Sequence, residues 1–69
     1  MPELEEVYEV VAQLPRKYRT VIHLFYYEDM SVKEIATLLS LGESTIKSQL
    51  HRARQMLRVK LEGGYDIEF

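Results

Sequence analysis

Polar and cationic side chains recur on one side of a single helical stretch in the second half of the chain. From residue 44 onward they alternate with apolar residues that lie three or four positions apart, which is the spacing of an α-helix. Short hydroxyls near the start of such a helix let its backbone approach base edges, and longer donors behind them reach further along the major groove of DNA. The candidate base-reading side chains are Ser44, Lys47, Ser48, His51 and Arg52.

The elements that would position this polar face form a helix-turn-helix. Residues 32–39 and the stretch that begins near Glu43 are both amphipathic, and only Ser40, Leu41 and Gly42 separate them. A short supporting helix, a tight turn that contains glycine, and a second helix with a cationic outer face make up the layout of a DNA-binding motif. We therefore expect the second helix to present its polar side to double-stranded DNA.

Five residues have the types that this motif needs for its structure. Ser31 can cap the supporting helix, and Glu34 can return a hydrogen bond to the Ser31 amide. Ala36 is small where the two helices should approach most closely, and Ile46 faces back into the same contact. Gly42 allows a backbone conformation that most residues resist, so we expect it to shape the turn.

Hydrophobic spacing predicts two further helices before the motif, and hence four helices around one core. The first should end before Leu14-Pro15, because proline disfavours helical geometry in the residue before it. The second should stop near Tyr27 or Glu28. The side chains of the predicted apolar stripes are Leu4, Val7, Tyr8, Val11, Tyr18, Val21, Ile22, Leu24, Phe25, Tyr27, Val32, Ile35, Ala36, Leu39, Ile46, Leu50, Ala53 and Leu57.

The predicted fold class is all-α, a small four-helix domain that contains a helix-turn-helix and has no wing. Residues 1–62 would form this domain, since Gly63-Gly64 ends the last helix. We expect residues 63–69 to be a mobile C-terminal tail, because so short a segment cannot pack independently.

The composition argues against an enzyme and against a membrane protein. The chain has 69 residues, no cysteine and two separated histidines, so we expect no disulfide, no metal and no cofactor. No nucleophile has a recognisable base and orienting partner. The most hydrophobic run, residues 20–27, is far too short to cross a membrane. We expect a cytoplasmic, non-catalytic protein.

The charge distribution favours a nucleic-acid partner more than the net charge of −2 does. Residues 1–13 carry four acids and no base, whereas residues 44–61 carry five bases and no acid. Phosphate binding depends on the local field of one face and not on the sum over the chain. The negative total is therefore a weak objection to DNA binding.

Three segments resemble region four of bacterial sigma factors, most closely that of the extracytoplasmic-function (ECF) class. They are Leu14-Pro15 with Arg19, Val21 and Leu24 behind it, then residues 30–36, and then residues 44–54. The last segment is the most specific, because the family commonly reads T-V-K-S-R-L-x-R-A-R where this chain has Thr45 to Arg54. The resemblance covers most of the chain, from Leu14 to Leu61.

The resemblance implies partners for this domain. Region four of such factors binds the upstream (−35) promoter element in double-stranded DNA and docks on the flap of the RNA polymerase β subunit. Apolar residues of the first two helices and of the end of the fourth are candidates for the polymerase surface. An anti-sigma factor is a further candidate partner, no membrane is expected, and the isolated domain should be a monomer. The implied phosphate contacts are Arg16, Lys17 and Lys33. We add Thr45 and Arg54 as candidate phosphate contacts, and for Arg54, on the flank of the helix, a contact with a carboxylate of the core is the alternative.

The chain departs from the family pattern in its turn, in its recognition helix and in its extent. The family usually has glycine where Ser40 stands, whereas the glycine here is Gly42, so the turn should be shaped differently. Gln49 replaces a frequent arginine and removes one phosphate contact. Nothing resembles the region that melts the downstream (−10) element, so the chain looks like an excised C-terminal domain or a stand-alone relative, and we favour the excised domain.

Two other interpretations remain open from the sequence. The first is another helix-turn-helix regulator, such as the C-terminal domain of a LuxR-type protein, which shares the Glu-Ile-Ala and Thr-Val-Lys segments. The second is a protein-interaction module that uses the same helices without reading DNA. A sigma domain should bind the polymerase flap, whereas a LuxR-type domain has no such requirement. A domain with several phosphate contacts should lose DNA affinity steeply as salt rises, whereas a pure interaction module should show little DNA affinity at any salt.

Overall fold

The computed structural model describes residues 4–62, which fold into four helices joined by short turns. Helix α1 spans Leu4–Gln13, α2 spans Arg16–Ile22 and continues as a π-helical turn over His23–Tyr27, α3 spans Val32–Leu39, and α4 spans Glu43–Leu61. This part of the chain contains no strand and no helix long and apolar enough to span a membrane. The all-α class with a helix-turn-helix is confirmed. The mobile tail expected at residues 63–69 lies outside the described residues.

The connection between α1 and α2 follows from Leu14-Pro15. Leu14 is 2% exposed, and its amide donates to the Val11 carbonyl at 3.1 Å, which closes the end of α1. Pro15 has φ −52° and ψ 146°, an extended geometry from which α2 begins. The guanidinium of Arg19 donates to the Ala12 carbonyl at 3.3 Å, so α2 also binds the carboxyl end of α1.

The core lies where α4 packs against α1, α2 and α3. Its innermost side chains come from α2, α3 and α4, and the periodicity of the sequence predicts most of them correctly. The buried side chains are Val11, Leu14, Tyr18, Val21, Ile22, Ile35, Ala36, Ile46, Leu50, Ala53 and Met56.

Some of the predicted core positions are wrong. Met56 is buried, at 2% exposed, whereas Leu57 is only partly buried, so the buried stripe of α4 continues three residues after Ala53 and not four. Tyr8 is 62% exposed and Tyr27 is 40% exposed. Their rings meet edge to face with centroids 6.2 Å apart, so they pack against each other at the surface. The side chain of Leu4 lies outside the described part of the chain.

The π-helical turn explains why Tyr26 and Tyr27 lie outside the core. The Glu28 amide donates to the His23 carbonyl, five residues back, at 3.1 Å. A π turn holds more residues than an α turn, so it rotates the following side chains away from the predicted 3.6-residue stripe. Tyr26 and Tyr27 are consequently exposed at 53% and 40%. Asp29 then reverses the chain in the left-handed region, with φ 59°.

The predicted capping box at the start of α3 is confirmed. The Glu34 amide donates to Ser31 Oγ at 3.1 Å, and the Ser31 amide donates to Glu34 Oε1 at 2.9 Å. The Ser31 amide, and after it the Ser31 side chain, stabilises the carboxylate and holds the pKa of Glu34 below its ordinary value of 4.5. The start of the supporting helix is therefore fixed by its own side chains.

The prediction that Gly42 supplies an unusual backbone conformation is wrong. Gly42 has φ −72° and ψ 153°, an extended geometry open to any residue, and it forms the N-cap position of α4. The left-handed residue of the turn is Ser40, with φ 57°. There the Leu41 amide donates to the Ala36 carbonyl at 3.0 Å, as in a Schellman motif, where glycine is the usual left-handed residue.

Candidate nucleic-acid interface

The outer face of α4 carries all of the predicted base-reading side chains, and every one of them is exposed. Beneath them, Ile46 is 0%, Leu50 2% and Ala53 0% exposed, so the helix is fixed to the core from its opposite side. Successive polar positions return to the outer face every three or four residues. The exposed set is Ser44, Lys47, Ser48, His51 and Arg52.

The contact between α3 and α4 presents this face to solvent. Ala36 is 7% exposed and Ile46 is fully buried, so the small and the branched residue both lie in the core beside the turn. The two helices remain separate elements on either side of residues 40–42. Among residues 5–62, no element covers the polar side of α4, which is the arrangement that insertion into a major groove requires.

Two of the predicted phosphate contacts lie beside the motif. Arg16 and Lys17 occupy the first turn of α2 and are exposed. They border a shallow groove of about 390 Å³ together with Leu41 of the turn and Gln49 of α4. The fold therefore brings cations from α2 next to the first half of the recognition helix. A DNA backbone that flanks the outer face of α4 would pass close to them.

The remaining predicted phosphate contacts differ in their surroundings. Lys33 in the first turn of α3 and Thr45 in the first turn of α4 are both exposed. Arg54 lies on the flank of α4 towards the π-helical turn. Its position therefore differs from that of the base-reading side chains.

Arg54 connects the recognition helix to the aromatic residues of the π-helical turn. Its Nε donates to the Tyr26 hydroxyl at 2.6 Å. Its guanidinium carbon lies 5.7 Å from the Phe25 ring centroid and 5.6 Å from that of Tyr26, which is within cation–π distance. A guanidinium has five N–H donors, so this contact leaves others to meet a phosphate.

An apolar groove of about 570 Å³ lies between α1, the π-helical turn and the last turns of α4. We call it the α1–α4 groove. The sequence indicates these helices as a candidate polymerase surface but does not identify the residues that form it. The adjacent tyrosines at 26 and 27 could have indicated an exposed aromatic surface, but the π-helical turn that exposes them was not predicted. The groove is lined by Val7, Val11, Ile22, Tyr26, Tyr27, Arg54, Leu57, Arg58, Leu61 and Glu62.

A family model described as sigma-70, region 4 matches residues 4–57 of the chain. The ECF RNA polymerase sigma factor SigW of Bacillus subtilis (strain 168) is 40% identical over 55 residues, which are 80% of this chain and 29% of that protein. The RNA polymerase sigma factor SigV of the same strain is 34% identical over 56 residues, which are 81% of this chain and 34% of SigV.

The chain belongs to the sigma-70 region 4 family. It is also similar to the ECF RNA polymerase sigma factor SigL of Mycobacterium tuberculosis (strain ATCC 25618 / H37Rv), at 43% identity over 54 residues, which are 78% of this chain and 30% of SigL. The chain thus spans about a third of the length of these relatives. The resemblance to sigma region four is confirmed, and the family match decides against a LuxR-type domain.

Two of the three departures of this region 4 chain from its family pattern, those in the turn and in α4, have a structural context. Ser40, where the family usually has glycine, is the left-handed residue of the turn, which explains why glycine suits that position. Gln49, where the family often has arginine, borders the same shallow groove as Arg16 and Lys17. Two cations from α2 therefore lie beside the position of α4 at which the family often has an arginine.

Proposed function

We propose that this region 4 domain binds double-stranded promoter DNA at the −35 element and docks on the β flap of RNA polymerase, as part of a sigma factor that directs transcription initiation. The observation that carries the proposal is the outer face of α4. It is polar, cationic and uncovered by the described residues, and it is supported from behind by fully buried side chains.

On the DNA side, α4 enters the major groove, which is about 12 Å wide and admits an α-helix. Ser44 and Ser48 allow a close approach to base edges, and Arg52 is placed to hold guanine through two parallel hydrogen bonds. Arg16 and Lys17 bind the flanking phosphates from the start of α2. Lys33, Thr45 and Arg54 complete the proposed phosphate set.

On the polymerase side, the α1–α4 groove receives an apolar segment of the β flap. Its walls are mainly apolar and aromatic, which suits a helix that inserts its own apolar face. From Lys47 to Leu61 the axis of α4 rises by about 20 Å, at ~1.5 Å per residue. The two halves of one rigid helix can therefore bind DNA and polymerase at the same time. An anti-sigma factor would compete most simply for this same groove.

Selection of bound duplexes from a random DNA pool, followed by titration at several salt concentrations, tests the DNA assignment. Four cationic phosphate contacts should give a slope of log K against log salt of about −3 to −4, at ~0.9 per contact. A preferred sequence with this slope supports promoter reading. Absence of DNA affinity even at low salt would favour the protein-interaction module instead.

Arg52 provides the sharpest test of base reading. Arg52→Ala should weaken binding to the selected site by about 1–3 kcal/mol and relax discrimination at one or two base pairs. Arg52→Lys is the matched control, because lysine keeps the charge but lacks the planar fork of donors. If Arg52→Lys binds every sequence as the parent chain does, Arg52 contacts phosphate and its assignment as a base-reading residue is wrong.

The groove assignment is tested with a synthetic peptide that has the sequence of the polymerase β flap tip. Tyr27→Ser should weaken peptide binding, by about tenfold or more if Tyr27 is central to the contact. Leu38→Ser is the control, because Leu38 is 58% exposed on α3 and does not line the groove. Equal losses in the two variants would contradict a specific groove site.

A further inference from the structure

The α1–α4 groove ends where the described chain ends. Leu61 and Glu62, the last residues described, both line it. The sequence continues directly with Gly63-Gly64 and then with Tyr65-Asp66-Ile67-Glu68-Phe69. The residues that follow Glu62 are therefore tethered at the mouth of an apolar groove whose volume is about 570 Å³.

The segment 63–69 complements the groove in pattern and in charge. Apolar and acidic residues alternate strictly from Tyr65 to Phe69, so an extended backbone would place the three apolar side chains on one face. The two acids, Asp66 and Glu68, would lie on the other face. The groove offers an apolar lining together with two cations, Arg54 and Arg58, and one acid, Glu62, so its charged residues carry a net positive charge.

The segment also has the reach to occupy the groove. Seven residues extend to about 24 Å, at up to ~3.3–3.6 Å per residue. The α4 wall of the groove from Leu61 back to Arg54 is only about 10 Å long, at ~1.5 Å per residue of helix. Reversal of the chain after Glu62 needs backbone conformations that glycine adopts readily, and Gly63-Gly64 stands at that point.

We propose that residues 63–69 bind in the α1–α4 groove of their own domain and compete there with the polymerase β flap. Binding in the groove follows from the pattern, the charges and the reach, whereas the competition rests on the proposed function. A short tether gives an effective concentration in the millimolar range, so even a weak segment fills the groove for much of the time. A groove that is free for only a fraction of the time binds its partner more weakly by that fraction.

A paramagnetic label tests occupancy of the groove without any partner. The chain has no cysteine, so a single cysteine appended after Phe69 can carry a nitroxide. The amide signals of Tyr27 and Val7 should broaden in the full chain, and those of Leu38 on α3 should stay sharp. The paired substitution Ile67→Ser and Phe69→Ser keeps length and charge and should reduce the broadening of the Tyr27 and Val7 signals to that of a tethered but unbound label. Sharp signals at Tyr27 and Val7 in the parent chain, or broadening that the paired substitution leaves unchanged, would overturn the proposal.

Titration with the β flap peptide then tests competition. The chain with Ile67→Ser and Phe69→Ser should bind the peptide about three- to tenfold more tightly than the parent, which corresponds to a groove occupied for roughly 70–90% of the time. Equal affinities would contradict competition. If the peptide binds neither chain, flap docking fails as a function, while the nitroxide experiment still decides whether the segment occupies the groove.

Discussion

The helix-turn-helix and the α1–α4 groove place their apolar residues in opposite ways. In the helix-turn-helix, Ile35 and Ile46 are fully buried, and the exposed outer face of α4 is polar. In the groove, Tyr26 and Tyr27 are 53% and 40% exposed, and most of the lining is apolar. The outer face of α4 thus keeps its apolar residues behind a polar surface, although Leu38 and Leu41 of the same motif are 58% and 42% exposed, whereas the groove leaves its tyrosines accessible.

This difference separates residues that stabilise the fold from residues available to a partner. Burial of a branched side chain contributes about 1.5–3 kcal/mol to folding, whereas an exposed ring contributes only for the part that leaves water. A contiguous apolar surface rimmed by charges is typical of an interaction site. Substitutions in the two regions should therefore affect different measurements.

The largest effect that we expect is loss of folding stability when Ile46 is truncated. Ile46→Ala removes a fully buried side chain between α3 and α4 and should cost about 2–5 kcal/mol in the free energy of unfolding. Tyr27→Ser, in the groove, should cost less, about 1 kcal/mol, because the side chain is 40% exposed and lies outside the buried core. Urea denaturation of both variants measures the contrast.

A milder variant protects this comparison from a chain that simply fails to fold. Ile46→Val should cost about 0.5–1.5 kcal/mol and leave a measurable transition. If Tyr27→Ser destabilised the domain more than Ile46→Val, the aromatic wall of the groove would be part of the core. The division between folding and binding residues would then be wrong.

The sequence predicts the helix-turn-helix well because its features are local. Ser31 and Glu34 are three residues apart, so their reciprocal hydrogen bonds depend on one helical turn alone. The exposure of Lys47, His51 and Arg52 follows from the 3.6-residue period of α4. Where the interactions span a few residues, sequence spacing was sufficient.

The groove side was harder to predict because it depends on a change of helical period and on contacts between distant helices. The π-helical turn breaks the stripe that had placed Tyr27 in the core. Met56, three residues after the buried Ala53, fits the helical period of α4 as well as Leu57 does, so spacing alone did not decide which of the two is buried. The turn between α3 and α4 was also predicted wrongly, although it is local. A glycine indicates which backbone conformations are permitted and not which residue of the turn adopts them.

The turn offers a prediction of intermediate size that sharpens the account of the helix-turn-helix side. Ser40→Gly should raise the free energy of unfolding by about 0.5–1 kcal/mol, because φ 57° costs a side-chain-bearing residue ~1–2 kcal/mol and the added freedom of glycine offsets part of that gain. Thermal or urea denaturation gives the measurement.

Gly42→Ser is the matched exchange two residues later. A Cβ at Gly42 would meet nothing closer than Ser44 Oγ at 4.0 Å, and serine suits an N-cap with extended backbone. This variant should therefore stabilise the domain, by about 0.5–1 kcal/mol, through a less flexible unfolded chain and a capped helix. Destabilisation by Gly42→Ser would restore Gly42 as the residue that shapes the turn.

The smallest predicted effect concerns pH and the capping box of α3. Because the hydrogen bonds from Ser31 lower the pKa of Glu34 below 4.5, the folded state prefers the charged carboxylate. That contribution to stability is present above the ordinary pKa and is lost as the pH falls through the lower, folded value. Glu34→Gln keeps an acceptor for the Ser31 amide but cannot titrate, so the parent chain should exceed it in stability at neutral pH and lose that advantage in acid.

The shape of the pH dependence distinguishes this account from a simple loss of surface charge. Denaturation midpoints of the parent and of Glu34→Gln should converge only below the ordinary glutamate pKa, as protonation makes the carboxyl an uncharged acceptor like the amide. Glu9→Gln, an exposed carboxylate in α1, controls for the general effect of removing one acid. A difference between parent and Glu34→Gln that stayed constant from neutral to acidic pH would mean that the charge of Glu34 does not stabilise the start of α3. The fixed geometry of the supporting helix would then rest on the Ser31 hydroxyl alone.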